Sequence, residues 1–371
     1  YPNTNWRDLL MKDSAPKQMH MFSISGGTDR IRTKATFGYD RVEGLYENRS
    51  YERFTVRMNN DIKINDFISG AFDVNVKRSY ALSPVSDPMP AVYMASPVYA
   101  AVWADGRIAD GKSGDNAYAA LLYGGTTKQN YNQVGGKIAL YITPLRGLKL
   151  SAIVAPTYND SKTKKFTKRI EYYAADDPSE FMGTIGGHAA TRLDEGRSDS
   201  HNITTQFFAN YDRTFGRHTL SLTAGYEGYT YFNEDLTAAR DNYELTQYPY
   251  LDRGSEDYQF NSGSAYHRSY QSFFGRVMYN FGNKYLIQAN IRCDRSSRFD
   301  KDHRTGFFPS VSGGWVLTEE KFFRNFGLRP LTYLKLRASY GTLGNDRVGN
   351  YPYLPLLNYT NGLFYNNGQI T

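Results

Sequence analysis

The residues best placed to do chemistry in this chain are flat aromatic side chains set in long polar segments. Tyr93, Tyr99 and Trp103 fall in one such segment, Tyr172 and Tyr173 in a second, and Tyr248, Tyr250 and Tyr258 in a third. Aromatic faces stack on sugar rings or on peptide side chains while neighbouring polar groups fix orientation. Tyr99, Trp103, Tyr248 and Tyr250 are therefore the candidate substrate-binding residues. The competing role is structural: in a chain with 32 Tyr and 22 Phe, most loop aromatics pack the loops or touch a partner protein.

Other chemistry finds no foothold. The six histidines, His20, His188, His201, His218, His267 and His303, are scattered without the paired spacing of a metal site. The segment Asp105 to Lys112 lacks the regular oxygen spacing of a calcium loop. Glu180, Asp194 and Glu195 have no evident acid–base partner, and no P-loop, GxGxxG or GxSxG is present. The single cysteine, Cys293, excludes an internal disulfide. The expectation is a protein that is not an enzyme and that carries no metal or cofactor.

The formal charge is +7, but Lys and Arg are spread along the chain rather than gathered in a stripe, which argues against nucleic acid as a partner. Mean hydropathy is -0.60 and no apolar run approaches the ~18 residues of a membrane helix. A membrane strand needs only about 9 to 11 residues with alternate positions apolar, so a polar chain can still span a bilayer as a barrel.

Such alternation is present. From Tyr51 to Asn65 the even positions read Phe54, Val56, Met58, Ile62 and Ile64, and the odd ones Arg53, Thr55, Arg57, Asn59, Asp61 and Lys63. Tyr285, Ile287, Ala289, Ile291 and Cys293 repeat the pattern against Gln288, Asn290 and Arg292. Further strands are expected near 18–26, 31–41, 67–77, 134–143, 148–158, 201–212, 218–231, 269–281, 306–317 and 332–341, about twelve in all, with no long helix.

The links between these strands alternate in length. Short turns lie at Gly27–Asp29, Asn65–Asp66, Pro144–Gly147, Thr214–Arg217 and Gly282–Lys284, and long segments at 78–133, 159–200 and 232–268. One rim then carries tight turns and the other elaborate loops, as in outer-membrane barrels, whereas a sandwich would show turns every 8 to 12 residues or so. The expected fold is all-β, an antiparallel transmembrane β-barrel. Arg57, Lys63, Asn290 and Arg292 would line its lumen. Phe37, Tyr39, Tyr226, Tyr229, Tyr231, Tyr279 and Phe281 would form its aromatic girdles.

Three stretches resemble the SusC/RagA family of TonB-linked outer-membrane proteins. The opening to about Ile64 carries Asn3-Thr4-Asn5-Trp6, the Ser23–Asp29 strand and turn, Gly38-Tyr39, Glu43-Gly44 and Arg53–Asn59. Ser269–Phe323 carries Gly275-Arg276, Asn283-Lys284-Tyr285, Asp294–Phe299, Phe307–Trp315 and Glu319–Phe323, and the pattern continues through Lys335–Asp346. Together they cover about half of the chain, and the intervening loops match nothing in the family pattern.

The resemblance implies a TonB-dependent receptor in the outer membrane of a Gram-negative cell of the Bacteroidota. It would import oligosaccharides or peptides with a SusD-like surface lipoprotein over its loops and the TonB–ExbB–ExbD complex acting through a plug. Outer-membrane lipid would surround the wall. Tyr1-Pro2-Asn3 lacks an initiator Met or signal, and Ile370-Thr371 falls in a polar aromatic stretch, so both ends read as cut. Residues 1–371 would then be a partial barrel domain, about twelve of some 22 strands, without plug, TonB box or last strands. The alternatives are a TonB-dependent siderophore or cobalamin receptor, which works without the lipoprotein, and a non-membrane glycan-binding β-module.

Overall fold

Alternating segments become antiparallel strands in the structure, a computed structural model that describes residues 2–325, 331–355, 365–366 and 369–370. The first six strands are β1 (Lys17–Gly27), β2 (Ile31–Glu43), β3 (Ser50–Lys63), β4 (Ile68–Pro84), β5 (Gly125–Leu145) and β6 (Leu148–Thr167). A small separate hairpin follows, β7 (Glu171–Tyr173) with β8 (Phe181–Thr184). Then come β9 (Arg192–Phe215), β10 (His218–Asp241), β11 (Gln259–Phe281), β12 (Tyr285–Ser296), β13 (Thr305–Phe307), β14 (Ser310–Val316) and β15 (Lys335–Gly341). Apart from β7 and β8 these form a 13-stranded sheet in chain order, with β13 and β14 both pairing with β12. The pair Tyr365–Asn366 and Gln369–Ile370 stands apart.

The described chain gathers into two compact units, one of residues 1–208 and 229–267 and one of residues 209–228 and 268–371. In the first, the register never slips from β1 through β5, and slips on the β5–β6 pair only at the short turn. One face of the sheet can therefore be followed strand by strand. Ile138 stands opposite Val154 on one side and Phe72 on the other, Met58 opposite Val74, and Phe37 opposite Val56. This face is apolar and exposed, with Ile138 62% accessible although it is a large aliphatic side chain. The facing positions one residue away are Asp73, Lys137, Arg57 and Asn59. A sheet with an exposed apolar face and a polar opposite face is a wall between lipid and water.

The second unit repeats the rule. Phe273, Val277 and Tyr279 on β11 share a face with Ile287, Ile291 and Cys293 on β12, then Val311 and Trp315, then Leu336 and Tyr340. Gly282 and Asn283 join β11 to β12 with φ of +58° at both. Two positive φ values in succession make the turn whose twist suits a hairpin and favour Gly and Asn there. Asn280 ties the turn, its Oδ1 accepting from the Asn283 amide at 3.0 Å.

The strands are longer than alternation suggested. β5, β6, β9, β10 and β11 run 20 to 24 residues, about twice a membrane crossing. The segments read as loops at 78–133, 159–200 and 232–268 thus hold paired strand at both ends, and the loops proper are 85–124, 168–191 and 242–258. Above the lipid both faces are wet, so hydrophobic alternation fades while backbone pairing continues.

Three short helices close the first loop against the start of the chain: α1 (Trp6–Leu10), α2 (Met89–Met94) and α3 (Ala117–Tyr123). A fourth, α4 (Lys321–Asn325), follows β14. Trp6 and Leu10 pack on Ala101 and Leu121, and Trp6 Nε1 donates to the Ser96 carbonyl at 3.0 Å. The opening residues thus sit with the long loops. Asn116 caps α3 through Ala119 and its buried amide also donates to the carbonyls of Ala101 and Ala109.

Candidate functional site

The polar face of the sheet is the natural place for a passing solute. On it, Gln133 donates to Asn159 at 2.9 Å, Tyr131 donates to the same Asn159 oxygen at 2.9 Å, and Asn159 donates onward to Ser200 at 3.2 Å. Ser198 donates to Asn233, which also accepts from Tyr231 and donates to Asp235. Cations are held there too: Lys137 pairs with Asp73, and Lys77 lies 4.6 Å from the centre of the Tyr131 ring. The face is a ladder of planar amides, hydroxyls and paired charges, able to exchange hydrogen bonds with a hydroxyl- or amide-rich solute.

This placement moves two residues from where the sequence reading put them. Tyr229 and Tyr231 share the parity of Asn233 and so stand on the polar face, not in a lipid girdle. In contrast, Tyr39 stacks with His20 and Phe54 on the apolar face, and Tyr226 meets Phe273 there. Arg57 and Arg292 lie on the polar face as expected.

In the second unit a recess of about 390 Å³ opens among Tyr270, Ser272, Arg292, Asp294, Arg304 and Asp346. Arg292 Nε donates to both carboxylate oxygens of Asp294, at 2.7 and 2.8 Å, and its Nη2 to the fully buried Ser272 hydroxyl at 2.9 Å. Ser296 donates to Asp346, and Arg298 to the Asp346 carbonyl at 2.6 Å. At the mouth, the His303 imidazole and Asp300 carboxylate hydrogen-bond at 2.8 Å, which raises the His303 pKa and lowers that of Asp300. A wider recess of about 740 Å³ lies nearer the short turns, lined by Asn280, Gln288, Ser312 and Arg337.

The four aromatic candidates fall into two groups. Tyr99 is half-buried against the Trp6–Leu121 cluster, and Trp103, in the same loop, has a buried Nε1 without a partner among the described residues. Tyr248 and Tyr250 project from the loop 242–258, each about 60% exposed. Tyr250 lies over Lys164 at 4.3 Å, and the same loop seats Tyr243 on Phe166 and Leu193. Lys164 and Phe166 have the parity of Val154 on β6, so this loop folds over the apolar-face side of the strand tops. Burial pushes the Tyr243 hydroxyl pKa up to about 12.

Loops also hold one another. Arg107 donates to the carbonyls of Ala174 and Ala175 at 2.8 and 3.0 Å while its Nε meets Asp105 at 2.6 Å. Sequence reading missed Arg107 and the amide ladder, because both depend on which strands and loops are neighbours.

No known family profile matches the chain. TonB-dependent receptor P39 of Formosa agariphila is 26% identical over 97% of this chain and 33% of its own length. TonB-dependent receptor SusC of Bacteroides thetaiotaomicron is 25% identical over 95% of this chain and 36% of its own. The chain thus spans about a third of the length of these curated relatives. Among solved structures, the RagAB peptide importer in its open-open state superposes on all of the chain and 41% of the matched one, with a TM-score of 0.78 and 21% identity.

An antiparallel wall with one lipid face and one wet face has the fold of an outer-membrane β-barrel, and the relatives that match nearly the whole chain are TonB-dependent receptors. Among these, SusC and the RagAB importer mark a likeness to the SusC/RagA type. The curated relatives are named as receptors and the matched structure as a peptide transporter.

Proposed function

We propose that this wall serves energy-coupled import of oligosaccharides or peptides across the outer membrane. The observation that carries the reading is the polar face: amides, hydroxyls and matched Arg–carboxylate pairs offer exchangeable hydrogen bonds rather than a sealed apolar core. Such a face suits a solute rich in hydroxyl or amide groups. On this reading residues 1–371 supply barrel wall, while a plug bearing a TonB box transmits the pull of TonB–ExbB–ExbD. A SusD-like lipoprotein closes over the long-loop rim. Tyr99, Trp103, Tyr248 and Tyr250 remain the proposed loop contacts, with the exposed pair better placed to meet a partner's surface.

Uptake of labelled oligosaccharides and peptides by cells with and without the gene tests this directly. Loss of uptake of one class in the deletion strain, restored by the gene and abolished again without TonB, is the expected result. Undiminished uptake of both classes would refute it.

A further inference from the structure

The apolar face of the first unit has a sharp edge. On β6 it runs from Leu148 to Tyr158 and then changes to Asp160, Lys162 and Lys164 at the same parity. The strands beside it change at the same level: Val134 is followed by Asn132, Asn130 and Lys128 on β5, and Val76 by Arg78 and Tyr80 on β4. About eleven residues at ~3.3 Å each make ~36 Å of strand, or ~25 Å of height at a tilt of about 45°, which is the height of an outer-membrane lipid band. The edge lies on the long-loop side, so it is the boundary of the outer leaflet.

Just above it the outward face gathers cations. Arg78, Lys128 and Lys162 are exposed, and among the described residues none has a carboxylate partner. Lys128 stands directly opposite Lys164 in the β5–β6 pair. Like charges in that position repel, and Lys164 is drawn aside to Glu195 at 3.0 Å and to the Tyr250 ring. Lys128 has no such outlet. Lys162 is its diagonal neighbour, about 7 to 8 Å away between backbones. Carboxylates beside the patch are engaged by neutral donors: Asp160 accepts from Asn132 at 2.9 Å, and Asp199 on β9 accepts from the Tyr158 hydroxyl at 2.8 Å. Tyr158 stands in the last apolar row with Val134 and Val76, and above that row Arg78 lies over the Tyr80 ring at 4.8 Å.

We propose that Arg78, Lys128 and Lys162 form an outward-facing site for the phosphate groups of an outer-leaflet lipid, whose acyl chains run down the apolar face over Val76, Val134 and Val154. The charge is complementary, the height matches, and the anion relieves the Lys128–Lys164 repulsion. The site rests on the outer-membrane placement and not on the cargo.

The test uses the whole gene product, folded in detergent, with bisphosphorylated lipid A and the same lipid stripped of phosphate as probes. Lipid adducts are read by native mass spectrometry, and folding is checked separately by heat-modifiable gel mobility. The wild type is expected to prefer the phosphorylated lipid by at least about ten-fold, given that each cation near an anionic surface contributes about a factor of five. The triple variant R78Q/K128Q/K162Q loses the preference, Lys162→Gln alone weakens it in part, and Lys34→Gln on the polar face keeps it. Equal binding of the two lipids by wild type, an unchanged preference in folded variants, or displacement of the lipid by inorganic phosphate would each overturn the proposal.

Discussion

Glu320 shows how one side chain ties down the short-turn rim. Its carboxylate accepts from the Tyr285 hydroxyl at 2.6 Å, Lys284 Nζ at 3.0 Å and Trp315 Nε1 at 3.2 Å. These donors, Tyr285 first and Lys284 next, hold its pKa down to about 2. A carboxyl lowered on folding from about 4.3 stabilises fully above that value and loses the contribution as pH falls toward the folded pKa. In a variant keeping Trp315 as its sole tryptophan, with Trp6 and Trp103 replaced by Phe, fluorescence should stay constant down to about pH 4 and change between there and about pH 2. Glu320→Gln should remove that acid transition, and a midpoint near pH 5 would contradict the geometry.

At the scale of elements, the wall and its loops are held by different means. Strands pair along their whole length, but the β7–β8 hairpin meets the first loop at a few points, where Arg107 donates to the Ala174 and Ala175 carbonyls and the Gly186 amide donates to the Gly114 carbonyl at 2.9 Å. Two charge-assisted bonds to carbonyls are each worth about 1.5–3 kcal/mol. Arg107→Ala should therefore free residues 171–184, raising protease cleavage near Asp176 about ten-fold or more without altering the heat-modifiable mobility of the barrel. Arg107→Lys should rescue little, since one ammonium cannot serve two carbonyls and Asp105 in the fork geometry of a guanidinium. Unchanged cleavage in Arg107→Ala would mean that the hairpin is held elsewhere.

At the scale of the whole molecule, the two faces and the level of the lipid edge set what the wall tolerates. Val154 lies within the apolar band opposite Ile138, and Asn130 lies above it opposite Lys162. Arginine facing the middle of the bilayer costs about 2–4 kcal/mol, falling to about 0–1 near the interface. Val154→Arg should therefore impair assembly into the outer membrane, and Asn130→Arg should leave it intact, both read as the fraction of heat-modifiable protein. Equal loss in both would place the lipid edge elsewhere. Neither substitution touches the polar ladder of Gln133 and Asn159, so under the proposed import function uptake per folded molecule should be unaffected by Asn130→Arg.

Within the lipid band the chain is legible from its residues alone, because each strand of the wall must present Val, Ile, Leu or Phe at every second position to hydrocarbon. Phe54, Val56 and Met58 announce a strand and an apolar face without reference to any neighbour. Above the band that constraint disappears. The strand halves 125–133, 159–167 and 192–200 read as loop, since water on both sides removes the pattern while hydrogen bonding to the next strand remains. Tertiary structure alone decided that Tyr231 faces the lumen, that Tyr250 lies over Lys164, that Arg107 bridges two loops, and that Lys128 stands opposite Lys164 and diagonal to Lys162. Each depends on register between strands or docking between loops, and those are set by pairing across the sheet rather than by local sequence.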